Sequence, residues 1–110
     1  MKLFMYGVKD NVEGGFVFFF QAINEGIMKR MVKSALLSKE PNFFSTNLKD
    51  KSIYCLGSIE TETGVIEPLQ SPVWAENISQ IRLDLIQEIK IAKQEAGDKN
   101  PKADEVVKDD

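Results

Sequence analysis

Apolar residues recur at two different spacings along this chain of 110 residues, and the switches between them mark out its elements. Across residues 2–8 the alternation puts Leu3, Met5 and Gly7 on one side and Phe4, Tyr6 and Val8 on the other, which predicts a strand. Both sides are largely apolar, so this strand belongs inside a sheet rather than at its edge. Residues 9–15 turn polar and end in Gly14-Gly15, a break between elements. Four phenylalanines then fall within residues 16–20. Such a run prefers a strand, with Phe16, Phe18 and Phe20 on one face and Val17 and Phe19 on the other.

The spacing becomes helical after Asn24, whose side chain can accept from the amides that follow it. Ile27, Met28, Met31, Val32, Ala35 and Leu36 make one apolar stripe, so a helix is predicted to about Leu37 with that stripe in the core. Residues 38–50 lack a period and read as a loop held by Phe43 and Phe44. The stretch 51–69 reads as a hairpin. Ile53, Tyr54, Cys55, Leu56 and Ile59 form one strand, Val65 and Ile66 begin the return, and Gly64 can take the positive φ wanted near the end of such a loop. Pro68 and Pro72 should close the sheet region. From 73 to 96 the pattern is helical again, with Ile78, Ile81, Leu85, Ile89 and Ala92 in a narrow seam, and Gly97 should stop that helix. Residues 98–110 alternate in charge, have little to bury beyond Val106 and Val107, and are expected to be disordered.

These elements compose an α+β fold: a small antiparallel sheet of the N-terminal strand and the central hairpin, extended by residues 16–20, with one packed helix and a longer C-terminal helix. The expected division is a core domain at 1–72, the C-terminal helix at 73–97 and an acidic tail at 98–110.

Composition removes several kinds of chemistry. There is no histidine and only one cysteine, Cys55, so neither a zinc site nor a histidine base can be built, and the carboxylates form no recognisable catalytic pair. Gly14-Gly15 lacks the Lys-Ser/Thr of a phosphate loop. A non-enzymatic protein is expected, with no catalytic residues, no metal and no cofactor. The apolar run at 16–20 is far shorter than the ~20 residues of a membrane span, so no membrane association is expected either.

The net charge of −3 conceals an asymmetry, because residues 1–52 carry eight cations against five anions, which leaves −6 for the remainder. A mildly basic front half suits a polyanion, and it equally suits two solvated faces of unequal sign. Lys29, Arg30 and Lys33 cluster on the outer arc of the first helix, with Lys9 earlier in the chain. Phe18, Phe20 and Tyr54 could stack on bases if their rings are exposed near those cations; core packing and dimerisation are the other uses for such rings. The seam of Ile78, Ile81, Leu85 and Ile89 could pair with another helix or dock on the sheet.

Several short motifs stand in a particular order: Met-Lys-Leu at residues 1–3, Tyr6-Gly7-Val8-Lys9-Asp10, Arg30, then Ser52-Ile53-Tyr54-Cys55-Leu56-Gly57 and Glu62-Thr63-Gly64. Together they resemble the small non-structural protein of the gokushoviruses, single-stranded DNA phages of the Microviridae, over roughly residues 1–72. The chain departs from that pattern in having Phe18-Phe19-Phe20 where a proline–phenylalanine pair is common, and in its long C-terminal extension. The resemblance implies a protein of the host bacterial cytoplasm, left out of the virion, that assists single-stranded genome synthesis and packaging by binding single-stranded DNA. The alternative is an adaptor for a phage or host replication protein, working through the C-terminal helix.

Overall fold

The computed structural model describes residues 1–99. Its elements are β1 (Lys2–Asp10), β2 (Phe16–Ala22), α1 (Glu25–Leu36), a 3-10 turn (Leu48–Asp50), β3 (Lys51–Glu60), β4 (Ile66–Asn77) and α2 (Ile78–Lys99). The strands form one sheet in the order β2-β1-β3-β4, antiparallel throughout. The fold is α+β, as the pattern predicted. The chain runs twice through the same plan, a hairpin followed by a helix, and the two hairpins lie side by side with β1 and β3 in the middle.

Both hairpins turn in the same way. The Asp10 amide donates to the Gly15 carbonyl and the Gly14 amide to the Asp10 carbonyl; Glu60, Val65 and Gly64 repeat this pattern. Gly14 and Gly64 take φ of 89° and 76°, where a side chain would be strained. In the first turn the Asp10 carboxylate also accepts from the Val12 and Glu13 amides. Asn24 caps α1 by accepting from the Ile27 amide at 2.8 Å.

Alternate sheet residues Tyr6, Val8, Ala22 and Ile53 meet Met28 and Val32 of α1 and Ile78 and Ile81 of α2 in one core, with Phe44 closing its end. Both helices therefore lie on the same side of the sheet. Each fully buried aliphatic side chain contributes about 1.5–3 kcal/mol relative to exposure, so these residues carry the stability of the fold. Phe44 is held there by the loop before β3. Asn42 donates to the Ala35 carbonyl and accepts from the Phe44 and Ser45 amides, while the buried Lys51 ammonium donates to the Phe43 and Thr46 carbonyls.

Four expectations change. The strand at 16–20 does not alternate regularly, because Val8 pairs with Phe18 and Lys9 with Phe16, leaving Val17 as a bulge. Phe16 thus joins the face of Phe19 instead of that of Phe18 and Phe20. Pro68 and Pro72 do not end the sheet; β4 continues past both to Asn77 and is an edge strand, where a missing amide need leave no ladder bond unmade. Residues 73–77 are consequently strand, with Trp74 opposite Tyr54, and α2 begins at Ile78. Finally, α2 runs past Gly97 to Lys99. The expectation of disorder beyond that point lies outside the described residues.

Gly57 marks where β3 and β4 come closest. Its φ is +156°, and a Cβ there would sit 2.5 Å from the Glu67 carbonyl oxygen. Gly57→Ala should therefore lower the unfolding free energy by more than about 1 kcal/mol, whereas Gly15→Ala, with nothing near its added carbon, should stay within about 0.5 kcal/mol. Urea titrations of both variants check this.

Burial pushes the Tyr6 phenol above its ordinary value near 10, with Cys55 and Glu25 adding to the shift. The raised value means that the folded state keeps its proton longer than the unfolded chain. Its stabilising contribution is complete below pH 10 and falls away as the pH rises through the elevated value. Between pH 9 and pH 11, Tyr6→Phe should lose less stability than the parent chain in denaturant titrations.

Candidate nucleic-acid interface

Because both helices cover one side of the sheet, the residues that alternate with the core point to a side without a helix. At its centre is Gly7, whose Cβ, if it had one, would lie 2.7 Å from the Phe16 ring. The missing side chain lets rings from the two neighbouring strands meet across β1. Phe16 of β2 stands edge-on to Tyr54 of β3 with centroids 5.8 Å apart, and stacks on Phe19 at 5.9 Å. Trp74 of β4 is the cross-strand neighbour of Tyr54 and extends the row. Phe19 and Trp74 are 60% and 51% exposed, so the row ends in two open rings.

Polar groups fix one end of this row. The Ser52 hydroxyl donates to Asn77 Oδ1 at 2.7 Å and accepts from Asn11 Nδ2 at 2.8 Å. The Trp74 indole donates to the same Asn77 oxygen at 3.1 Å, which sets the angle of its ring. Lys9 adds a cation, its ammonium 5.6 Å from the centre of the Tyr54 ring. The face thus offers flat apolar surfaces, one positive charge and a fixed indole.

Of the residues singled out from sequence for DNA, Lys9 and Tyr54 come together on this face. Phe18 and Phe20 do not. They lie on the helix side, Phe18 stacked on Phe43 at 5.0 Å and Phe20 edge-on to Phe44 at 5.4 Å, because the Val17 bulge separates them from Phe16. Lys29, Arg30 and Lys33 also belong to the helix side. Lys29 is paired with Glu25 and Glu76, and Lys33 donates to Glu88 at 2.6 Å; these contacts tie α1 to β4 and α2. Arg30 is exposed.

The seam on α2 is divided in the same manner. Ile78 and Ile81 are fully buried in the core, while Leu85 and Ile89 line a groove against the end of α1. Sequence reading missed Phe16, Phe19 and Trp74. Phe16 required knowledge of the bulge, Phe19 was given its observed face but not joined to the site, and Trp74 was hidden within an apparent helical period. Among the described residues, no group of three or more acidic or cysteine side chains could hold a metal ion, and no helix is long and apolar enough to cross a membrane.

No curated protein and no solved structure matches the chain. A family model described as Phage ORF5 protein matches residues 3–81, from the second residue of β1 to Ile81, the last core residue contributed by α2. That span contains the sheet except for Lys2, both hairpin turns and the full row of rings, and it covers most of the chain, which therefore belongs to the Phage ORF5 protein family.

Proposed function

We propose that this phage protein binds single-stranded DNA across the helix-free face of its sheet, in support of single-stranded genome synthesis and packaging during a gokushovirus-type infection. It acts in the host bacterial cytoplasm, stays out of the virion and performs no catalysis. The observation that carries this reading is the row Phe16, Phe19, Tyr54 and Trp74, with Lys9 over Tyr54. Exposed rings of this kind stack on bases whatever their sequence, at about 1–3 kcal/mol per base. Bases paired in a duplex are not free to stack in this way.

The same face decides how the binding responds to salt. Each phosphate neutralised on a single strand contributes a slope of about −0.7 in log affinity against log salt. With Lys9 as the cation beside the rings, stacking leads, and the slope should be shallow rather than steep. Lys29 and Lys33 are occupied by carboxylates on the opposite side. They have little part in the contact.

The alternative, an adaptor for a phage or host replication protein, is favoured by the exposed Leu83 and Ile91 on α2 beyond the core. One titration separates the two readings. Trp74 is the only tryptophan, so its emission reports on this face directly. Adding a strand of roughly 30 nucleotides should quench it, and a duplex of equal length should not. Phe19→Ala should weaken binding by about 1–3 kcal/mol in fluorescence anisotropy, while the triple change of Lys29, Arg30 and Lys33 to alanine leaves affinity within about threefold. Absence of binding at low salt, or loss of binding only in the triple variant, would overturn the proposal, and the first result would direct the search to a protein partner on α2.

A further inference from the structure

The two edges of the sheet are built differently. β4 carries Glu67 and Glu76, has Pro68 and Pro72 within it, and loses its line where Leu69 to Pro72 stand opposite Leu56 alone. Charge, proline and irregularity are what keep an edge strand from pairing with another chain. β2 has far less of this protection. It contains no charged residue and no proline, and its bulge lies at its start, so that Phe18–Ala22 pair regularly with Phe4–Val8. β1 is its one hydrogen-bonded neighbour in the sheet, and among the described residues no loop backbone bonds to its other side. That side presents a row of amides and carbonyls to which a further strand can be added.

The side chains of β2 point to the partner. Val17, Phe19 and Gln21 alternate with Phe18 and Phe20, which pack against the core, and all three are exposed. The strand offers no charge for a partner to complement, so its complement is a neutral apolar strand, which β2 itself is. Phe19, at 60%, is the most exposed aromatic ring of the sheet, and another ring covers it well. It is also the midpoint of β2. An antiparallel copy related by a two-fold axis at Phe19 sets every residue of β2 opposite one of its partner: Phe19 meets its own copy, Phe18 meets Phe20, and Val17 meets Gln21.

We infer that this protein forms a two-fold dimer by antiparallel pairing of β2 with β2 of a second copy, which joins the two four-stranded sheets into one of eight strands. The axis is perpendicular to the sheet, so the helices of both copies lie on one side and both rows of rings on the other. The two rows become one, running from Trp74 of one copy through the paired Phe19 rings to Trp74 of the other.

The test uses the full chain without nucleic acid, so its outcome is independent of the DNA reading. In sedimentation equilibrium the parent chain should return twice the mass of a single copy at high concentration and fall towards one copy on dilution. A single-copy mass at every concentration would overturn the inference. Two double variants at exposed positions then fix the register. Val17→Lys with Gln21→Lys sets lysine opposite lysine twice across the axis, whereas Val17→Lys with Gln21→Glu sets lysine opposite glutamate twice. Within one chain these positions lie about 13 Å apart along the strand, too far to pair with each other. The lysine–glutamate variant should associate about tenfold more tightly, or better, than the lysine–lysine variant. Net charge works the other way, since the added lysines bring an acidic chain closer to neutrality. Equal association of the two variants, which pairing through β4 or a parallel pairing of β2 would give, refutes the inference, as does tighter association of the lysine–lysine variant. A second measurement needs no substitution. In hydrogen exchange of the parent chain, the outward amides of β2 should slow as concentration rises while β4 stays constant; slowing at β4 instead, or at neither strand, would also refute it.

Discussion

Two helices packed on the same side of a four-stranded sheet leave the other side without a layer, and most of this protein's properties follow from that. Met28, Val32, Ile78 and Ile81 satisfy the alternate residues Tyr6, Val8 and Ile53 on the covered side. The intervening residues must make their own arrangement. They do so by covering one another: Phe16 lies over Gly7, Tyr54 meets its edge, and the hydroxyl of the buried Ser52 accepts from Asn11 and donates to Asn77. The result is a face that is apolar but ordered, ending in open rings.

The bulge at Val17 is the local device that makes this possible. In a regular strand Phe16, Phe18 and Phe20 would share a face, and the helix side would receive all three rings. One extra residue reverses the side of everything before it. Phe18 and Phe20 then complete the core with Phe44, and Phe16 is left to span the other face. A glycine at position 7 is needed for the same reason, since any larger residue would collide with the Phe16 ring.

Charge is distributed to match. The cations of α1 lie on the covered side, where Lys29 and Lys33 join α1 to β4 and α2, so part of the positive charge in the first half of the sequence holds elements together. Exposed ion pairs of this type are worth at most about 1 kcal/mol each, and they orient the helices more than they stabilise them. Lys9 on the sheet, and Lys49 and Arg82 at the groove, are among the cations that form no ion pair among the described residues. Each lies beside apolar surface, which is where a single charge has most effect on what can bind.

Much of the fold was legible in the sequence because it depends on local preferences. The alternation of residues 2–8, the stripe from Ile27 to Leu36, the cap at Asn24 and the glycine turn at Gly64 each specify their own element, and together they gave the α+β class. The candidate site was legible only in Tyr54 and Lys9. The side on which Phe16 emerges depends on a bulge, which is a property of how two strands pair and leaves no mark on either strand alone. The end of the sheet could not be read either, since Pro68 and Pro72 break a central strand but are tolerated at an edge, and only the assembled sheet puts β4 at its edge. Ile78 and Ile81 have the same helical spacing as Leu85 and Ile89, yet only the first pair falls above the sheet and is buried there. The sequence by itself determined which elements form; pairing and packing between distant segments decided which face each side chain occupies, because that choice is made by contacts that no local stretch contains.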